Sequence, residues 1–317
     1  MLSRTAENLF WITRYMARAE TIARLLEVGS RNALIPSVSG GFRNEWESIL
    51  QASGTAGGFV GKYGDPVQRN VESYLFFDLD NPSSIASCIS RARENGRIVR
   101  TALTSQVWDA LNTAFQEMQE LRRTERSKLS VNDLIDWTIR NSSMVRGAIE
   151  DSQLRNDGWS FMHIGYALER ADATARLLDV KYFVLLPQVD FVGSGLDNYQ
   201  WRTILRAMSA HRAFNWAYGG EITPAKIADF LILNTKSPRS LITCATEANT
   251  HLEALARGYG RSGDAQAQSR ALLARLSEIT VEDVFDVGLH EFLTGVIDAV
   301  AGLTAIIHEQ YLSGEAR

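Results

Sequence analysis

The strongest constraint on the fold of this 317-residue chain is an internal repeat. Four segments of the first half recur in the second half in the same order, 150 to 156 residues later. The matched pairs are Ile12–Val28 with Ile164–Val180, Trp46–Ala52 with Trp201–Ala207, Asn81–Cys88 with Ser237–Cys244, and Ser130–Asp136 with Thr280–Asp286. A collinear repeat of this length predicts two copies of one unit, 1–157 and 158–317, packed as one domain. A functional site is then expected at the seam between the copies, or where the copies differ.

Composition places the chain among soluble globular proteins. Hydrophobic residues make up 45% of the chain, charged residues make up 22%, and the formal net charge is −4. These proportions are typical of a folded protein with a sizeable core. A slightly acidic chain does not carry the basic surface that nucleic-acid binding requires, so no nucleic-acid partner is predicted.

Nothing in the sequence predicts export or membrane insertion. The first residues lack the apolar core of a signal peptide and reach an acid at Glu7. The most apolar run, Val296–Ile307, is shorter than a membrane span and contains Asp298. The two cysteines, Cys88 and Cys244, occupy matching places in the repeat, which favours small core residues over a disulfide or a metal pair. We therefore expect a cytoplasmic protein that does not contact a membrane.

Helical periodicity predicts an all-α fold with six helices in each half. The predicted ranges are 6–35, 43–53, 66–77, 82–103, 105–126 and 131–155, then 158–186, 198–217, 224–234, 238–258, 264–277 and 281–312. A capping residue directly before proline predicts four of the helix starts, at Asp65-Pro66, Asn81-Pro82, Thr223-Pro224 and Ser237-Pro238. Pro36 and Pro187 are predicted to end the two long leading helices. The glycine-rich segment 37–64 is predicted to contain one short helix.

Each leading helix carries an apolar stripe and, beside it, a charged strip. The stripes are Leu9, Ile12, Met16, Ala19, Ala23 and Leu26, and Phe161, Ile164, Leu168, Ala171, Ala175 and Leu178. The strips are Glu20, Arg24 and Glu27, and Asp172, Arg176 and Asp179. In each strip the acids lie four residues before and three residues after the arginine, so the charges compensate one another. The pattern favours a solvated or salt-bridged face over a ligand site.

Arg18 and Arg170 lie on a different, largely apolar face of these helices. A buried guanidinium without a partner is very costly, so each arginine is expected to bind a carboxylate or a phosphate. Glu94 or Asp78 is a candidate for a purely structural partner, and an anionic ligand at the seam is the functional alternative. Glu169, directly before Arg170, has only Ala17 as its counterpart in the first copy. A charge found in one copy alone marks a position where a duplicated fold can specialise.

The residues around Glu169 resemble the signature of the bacterial alpha-E family, an all-helical domain with a Glu-Arg motif. The resemblance covers essentially the whole chain. Its segments are Leu2–Trp11, Asn81–Ile85, Ala92–Asn95, Trp159–Asp179 with Leu168-Glu169-Arg170-Ala171-Asp172 at its centre, Phe230–Leu233 and Pro238–Ser240. In that family the first copy usually also reads Leu-Glu-Arg-Ala-Glu, whereas this chain reads Met16-Ala-Arg-Ala-Glu20. A mechanism that needs both Glu-Arg pairs is therefore not expected here.

The resemblance also implies a biological setting. Genes of this family tend to lie beside circularly permuted ATP-grasp ligases, transglutaminase-like thiol peptidases and proteasome-like hydrolases. The expected role is that of an accessory or substrate-presenting protein in a peptide ligation or tagging system. In that role Arg18, Arg170 and Arg239 would bind carboxylates or phosphates, and Glu169 would orient them.

Two enzyme-like alternatives stay open at the level of sequence. In the first, Glu169 acts as an acid or base beside Arg170 on a peptide or amide substrate. In the second, the helices bind a metal, but no Glu-x-x-His motif of a carboxylate bundle occurs and only Glu247 and His251 share a helix face. No phosphate-binding loop and no dinucleotide motif is present, so no cofactor and no metal is predicted.

Overall fold

A computed structural model describes residues 1–34, 45–185 and 195–313 of the chain. The regular structure of these residues is helical throughout, which confirms the all-α prediction. The first half contains α1 Ser3–Asn32, α2 Glu45–Ala52, α3 Ala56–Tyr63, α4 Gln68–Phe76, α5 Ile85–Ile98, α6 Ser105–Arg123 and α7 Val131–Ser152. The second half contains α8 Asp157–Leu185, α9 Gly195–Ala207, α10 His211–Tyr218, α11 Pro224–Ala228, α12 Leu241–Tyr259, α13 Asp264–Glu278, α14 Val281–Val287 and α15 Leu289–Ile307. Single π-helical segments, Asp229–Leu233 and His308–Leu312, extend α11 and α15.

Three of the four predicted proline caps were wrong, because the chain makes a turn before the helix begins. Thr223 caps α11 as predicted, by accepting a hydrogen bond from the Lys226 amide. α5 and α12 begin three residues later than expected, and their caps are Ser84 and Ser240. After Asp65-Pro66 the helix begins only at Gln68. In the turn before α5, the Asn81 side chain accepts from the Ser83 amide, so it satisfies the turn rather than the helix.

Several predicted helices are divided in the structure. The last helix breaks at Gly288, whose φ of +100° lies in the region that favours glycine and that an α-helix cannot contain. The predicted helix 198–217 breaks at Ser209, which has a φ of +56°. The glycine-rich segment contains two helices in its described part, α2 and α3, rather than one. Pro36 and Pro187, the predicted ends of the leading helices, lie outside the described residues.

The two leading helices, α1 and α8, form the centre of the protein. They pack against each other, α5 and α7 cover α1, and α12 and α15 cover α8. All twelve residues of the two apolar stripes are buried, as predicted. α2 also contacts α8, and α9 contacts α1, so each half reaches across to the leading helix of the other. Such reciprocal contacts are what two packed copies of one unit would make. The duplication itself remains a prediction from the sequence.

α15 is the one described helix that is long and apolar enough to cross a membrane by length and composition alone. With its π-helical extension it covers Leu289–Leu312, and a third of its apolar window is buried inside the fold. The core helix of a soluble protein passes the same test. Its buried residues lie on one face, against the rest of the protein: Phe292, Leu293, Val296, Val300, Leu303 and Ile307.

α1 and α8 approach most closely at Gly165. A Cβ atom added at this glycine would lie 2.4 Å from the Phe10 carbonyl oxygen and 2.8 Å from Thr13 Oγ1. Thr13 Oγ1 in turn donates to the Met162 carbonyl of α8, at 2.7 Å. The contact is to backbone, which cannot move aside as a flexible side chain would, so the close packing of the two helices requires glycine here.

We expect Gly165→Ala to lower the free energy of unfolding by about 1–3 kcal/mol, the usual cost of overpacking a core. Gly147→Ala in α7 is the matched control, because its Cβ would meet no atom within 4 Å. Both substitutions gain the same helix propensity, about 1 kcal/mol, so their difference reports the clash. Urea unfolding of both variants measures it. Equal stability of the two variants would mean that α1 and α8 can separate without cost.

Candidate functional site

Glu169 lies at the interface between α1 and α8 and is held there by two arginines of α1. Its side chain is only 3% exposed. Oε1 accepts a hydrogen bond from Arg18 Nε at 2.6 Å, and Oε2 accepts from Arg18 NH2 at 2.9 Å and from Arg14 Nε at 2.8 Å. Arg14 also donates to Thr304 Oγ1 at 2.9 Å. One carboxylate therefore ties α1 and α8 together, and Arg14 extends the tie to α15.

This environment keeps Glu169 ionised. Burial alone would raise the pKa of Glu169, but the positive charges and hydrogen bonds of Arg18 and Arg14 outweigh it and lower the pKa to about 2. The charge of Glu169 in turn raises the pKa of Arg18 above its ordinary value. A general acid or base works best with a pKa near the operating pH. The geometry therefore does not support a proton-transfer role for Glu169.

The structural partner of Arg18 is Glu169 rather than either acid considered from the sequence. Glu94 lies on the surface and pairs with Arg97 at 2.6 Å. Asp78 pairs with Lys62 at 2.8 Å. The occurrence of Glu169 in only one copy was the sequence feature that pointed to it. Arg14 was missed, because nothing in the helical pattern distinguishes it from a surface arginine.

Glu20 is the centre of a second buried charge cluster. It accepts from Arg24 Nε at 3.1 Å and from Arg24 NH2 at 2.6 Å, and it also accepts from Arg239. Burial would raise the pKa of Glu20, but Arg239 and Arg24 outweigh it and lower the pKa to about 2. Arg24 also donates to the Ala207 carbonyl and to Ser209 Oγ, at the break after α9. Glu20 and Arg24 therefore compensate each other's charge, as expected, but both are buried rather than exposed to solvent.

In the matching strip on α8, Asp172 and Arg176 are partly buried and Asp179 is buried. Arg176 donates to Asp172 at 2.7 Å and to the Ala52 carbonyl at 3.4 Å. Asp179 pairs instead with His290 of α15 at 2.7 Å. Asp172 and Arg176 therefore compensate each other on one helix, as the sequence predicts.

Arg170 is the one arginine of the three proposed binders without a carboxylate partner among the described residues. The residue is 4% exposed, and its Nε has no hydrogen-bond partner. Its guanidinium carbon lies 5.0 Å from the centre of the Tyr166 ring. Arg146 also contacts Tyr166, by donating to its hydroxyl at 3.1 Å. Burial would lower the pKa of Arg170, but the nearby Tyr166, Cys244, Glu20 and Glu247 outweigh it and raise the pKa.

Comparison of the two halves shows that Arg170 has no counterpart of the Glu169 contact. At the offset of 152 residues, Arg14 and Glu169 correspond to Tyr166 and Ala17. The two arginines of α1 enclose the acid of α8. The position in α1 that corresponds to this acid is Ala17, which is 2% exposed.

A small pocket lies next to Tyr166. Its lining comes from α1, α7 and α8 and includes Thr13, Met16, Ser142, Arg146, Glu150, His163 and Tyr166. Most of the lining is apolar, with a few charged or polar groups at its edge. The cavity volume is only about 20 Å³, which is room for about one water molecule.

Next to the pocket the structure brings together three side chains that are far apart in the sequence. His163 of α8 lies against Glu247 and His251 of α12, and one ligand atom from each lies within 4.8 Å of the others. His163 Nδ1 is 3.0 Å from a Glu247 carboxylate oxygen, and the two imidazole ring centres are 4.6 Å apart. The sequence indicated only the pair on α12, since the packing of α8 on α12 supplies His163.

The two cysteines behave as core residues, as predicted. Both are free and buried. Burial raises the pKa of the Cys88 thiol to about 12 and that of Cys244 to about 11. A thiol with so high a pKa is not a nucleophile near neutral pH.

The chain matches the Alpha-E family, described as a predicted alpha-helical domain with a conserved ER motif, over residues 1–312. The chain belongs to the Alpha-E family. The sequence predicts that Glu169-Arg170 is this motif, and Glu169 lies buried at the α1–α8 interface. In the first half of this Alpha-E chain, Ala17 stands before Arg18 at the corresponding position.

Two curated relatives are also similar to this Alpha-E chain. They are the uncharacterized protein Mb2597 of Mycobacterium bovis and the uncharacterized protein MT2643 of Mycobacterium tuberculosis. Each is 22% identical over 327 residues, covering 96% of this chain and 36% of the relative. The chain therefore spans about a third of the length of these relatives. No solved structure matches it significantly.

We expect Glu169→Gln to lower the free energy of unfolding by about 3–5 kcal/mol, because it leaves Arg14 and Arg18 without a compensating charge in a buried site. Glu94→Gln is the matched control, since it removes an exposed Glu–Arg pair that contributes about 0–1 kcal/mol. Urea unfolding at neutral pH measures both. If the two variants are equally stable, the Glu169 cluster does not hold α1 and α8 together.

The two buried carboxylates, Glu169 and Glu20, predict that the protein loses stability in acid. The folded-state pKa values of Glu169 and Glu20 are lowered from 4.5 to about 2, so their contribution to stability is complete above pH 4.5. It is lost as the pH falls from 4.5 towards 2, where the folded protein must take up protons. We expect the free energy of unfolding of the wild type to fall more steeply over this range than that of Glu169→Gln. Parallel pH profiles would contradict the assignment.

Proposed function

We propose that this protein is a helical accessory or substrate-presenting component of an ATP-dependent peptide ligation or tagging system. Its expected partners are a circularly permuted ATP-grasp protein and a transglutaminase-like peptidase. In this role it binds a carboxylate at the seam between α1 and α8 and does not itself make or break a bond. The observation that supports the proposal is the buried Arg170, whose Nε has no hydrogen-bond partner.

The arrangement of charges favours Arg170, rather than all three arginines, for the proposed binding role. Arg18 is already paired with Glu169, and Arg239 with Glu20. A ligand would have to displace a buried protein carboxylate to reach either of them. A ligand at Arg170 would not have to displace a hydrogen-bonded protein carboxylate. The planar guanidinium of Arg170 matches a carboxylate in a bidentate geometry.

The environment of Arg170 favours a carboxylate-bearing chain end over a bulky phosphate ester. The neighbouring pocket is largely apolar, and Tyr166 and Arg146 supply a ring and a second cation at its edge. The cavity volume is only about 20 Å³, so a small terminal carboxylate is favoured over a larger group.

Two further observations support an accessory role. Glu169 is fixed by two arginines and has a pKa of about 2, which removes the strongest candidate for acid–base chemistry. The curated relatives are nearly three times as long as the region they share with this chain. A domain that occurs within much longer chains is suited to presenting a substrate to a neighbouring domain. An enzyme that uses Glu169 as acid or base is correspondingly disfavoured.

Recovery of the tagged protein from its native host, with mass spectrometry of the proteins that accompany it, tests the partnership. We expect an ATP-grasp protein as the main partner, and its ATP turnover should rise when this chain is added. A chain that recovers no such protein, or that leaves ATP turnover unchanged, would contradict the accessory role.

Ala17→Glu tests the carboxylate site, because it places an acid beside Arg170. We expect the free energy of unfolding of the variant to be about 1–3 kcal/mol higher than that of the wild type, since the new acid gives a buried cation a charged hydrogen-bond partner. It should also lose the stimulation of ATP turnover, because the new carboxylate occupies the ligand position. Arg97→Ala, which removes an exposed charge on α5, is the control and should stimulate normally. An Ala17→Glu protein that is folded and fully active would show that Arg170 is not the binding group.

A further inference from the structure

Two packed helices place three potential metal ligands at one point beside the seam pocket. Glu247 and His251 lie one turn apart on α12 and therefore share a face. His163 of α8 faces them, and one ligand atom from each residue lies within 4.8 Å of the other two. All three residues are partly buried, so they are shielded from bulk water but remain accessible from the surface.

We propose that His163, Glu247 and His251 form a binding site for a divalent transition-metal ion. Two imidazoles and one carboxylate are a common ligand set for Zn²⁺ and for non-haem Fe²⁺, and they leave further coordination positions open. A small adjustment of side-chain rotamers suffices to bring three atoms that are within 4.8 Å onto one ion. The inference does not depend on the proposed carboxylate site.

The neighbours of the two histidines orient the nitrogens that a metal would need. Glu150 of α7 lies 3.5 Å from His163 Nε2, so Nδ1, the nitrogen beside Glu247, is the one left to face an ion. Ser160 Oγ lies 3.4 Å from His251 Nδ1, which leaves His251 Nε2. Metal-binding histidines usually bond a carboxylate or another oxygen through the second ring nitrogen, which fixes the ring and its tautomer.

Arginines near the cluster define what else the ion would bind. Arg170 and Arg146 lie close enough to lower the pKa of Glu247 by their charge. They oppose a bare cation but favour a cation that carries an anionic ligand in its open positions. The first copy has no equivalent cluster, because Trp11, Arg91 and Asn95 stand at the corresponding positions. The metal site, like Glu169, is then a feature of the second copy alone.

Metal titration of the purified chain, stripped with a chelator, tests the site. We expect one equivalent of Zn²⁺ to bind per chain by calorimetry, and Co²⁺ to give visible d–d bands from a nitrogen- and oxygen-bound ion. His251→Ala should weaken Zn²⁺ binding by about 100-fold or more, because loss of even an outer-shell partner costs 10–100-fold. His308→Ala is the matched control, since it removes an exposed imidazole outside the cluster and should bind as the wild type does.

Thermal unfolding with and without Zn²⁺ tests the site even when a variant is less stable, because each variant is compared with itself. A metal that binds the folded state raises the melting temperature, so we expect a rise for the wild type and His308→Ala and none for His251→Ala. Glu247→Gln keeps a hydrogen-bond partner for His163 but removes the carboxylate, and it should also lose the rise. Binding of Zn²⁺ by His251→Ala as tightly as by the wild type, or no binding by the wild type, would show that the cluster is only a hydrogen-bonded contact between α8 and α12.

Discussion

The buried ion pair between Glu169 and the two arginines of α1 is the interaction on which the rest of the structure depends. Two long helices can pack through apolar stripes in several registers, since such stripes are roughly continuous along the helix. A carboxylate that must accept three hydrogen bonds from Arg14 and Arg18 leaves one register. That register also brings Gly165 against the backbone of α1, and Arg14 against α15. The other helices are built on this fixed pair.

The two halves supply different charges to the interface between α1 and α8. Glu169 satisfies the two arginines of α1, whereas the corresponding residue in the first half is Ala17, and Nε of Arg170 has no hydrogen-bond partner. The pocket and the histidine cluster share His163 of α8, where the first half has Trp11. The buried ion pair and the proposed binding groups therefore use different residues of this interface.

Much of the fold was predictable because it rests on local rules. The apolar stripes of α1 and α8 follow from helical periodicity, and both are buried as expected. The helix ends were less predictable, because several side chains compete for the same amides. Asn81-Pro82 forms a turn and leaves the cap to Ser84. The break after α9 depends on Arg24, which binds the Ala207 carbonyl from another helix. No pattern within 198–217 contains that information.

The sequence by itself determined the all-helical class, the position of the leading helices and the one charge, Glu169, that distinguishes the copies. These properties depend on residue types and short spacings, which the chain carries whatever its tertiary structure. Only the tertiary structure decided which carboxylate each arginine binds, and that His163 joins Glu247 and His251. Partners separated by 84 to 219 residues, as in these pairs, are set by the packing of helices. An unpaired buried charge is costly, so the packing of the helices decides which opposite charge each of these groups meets.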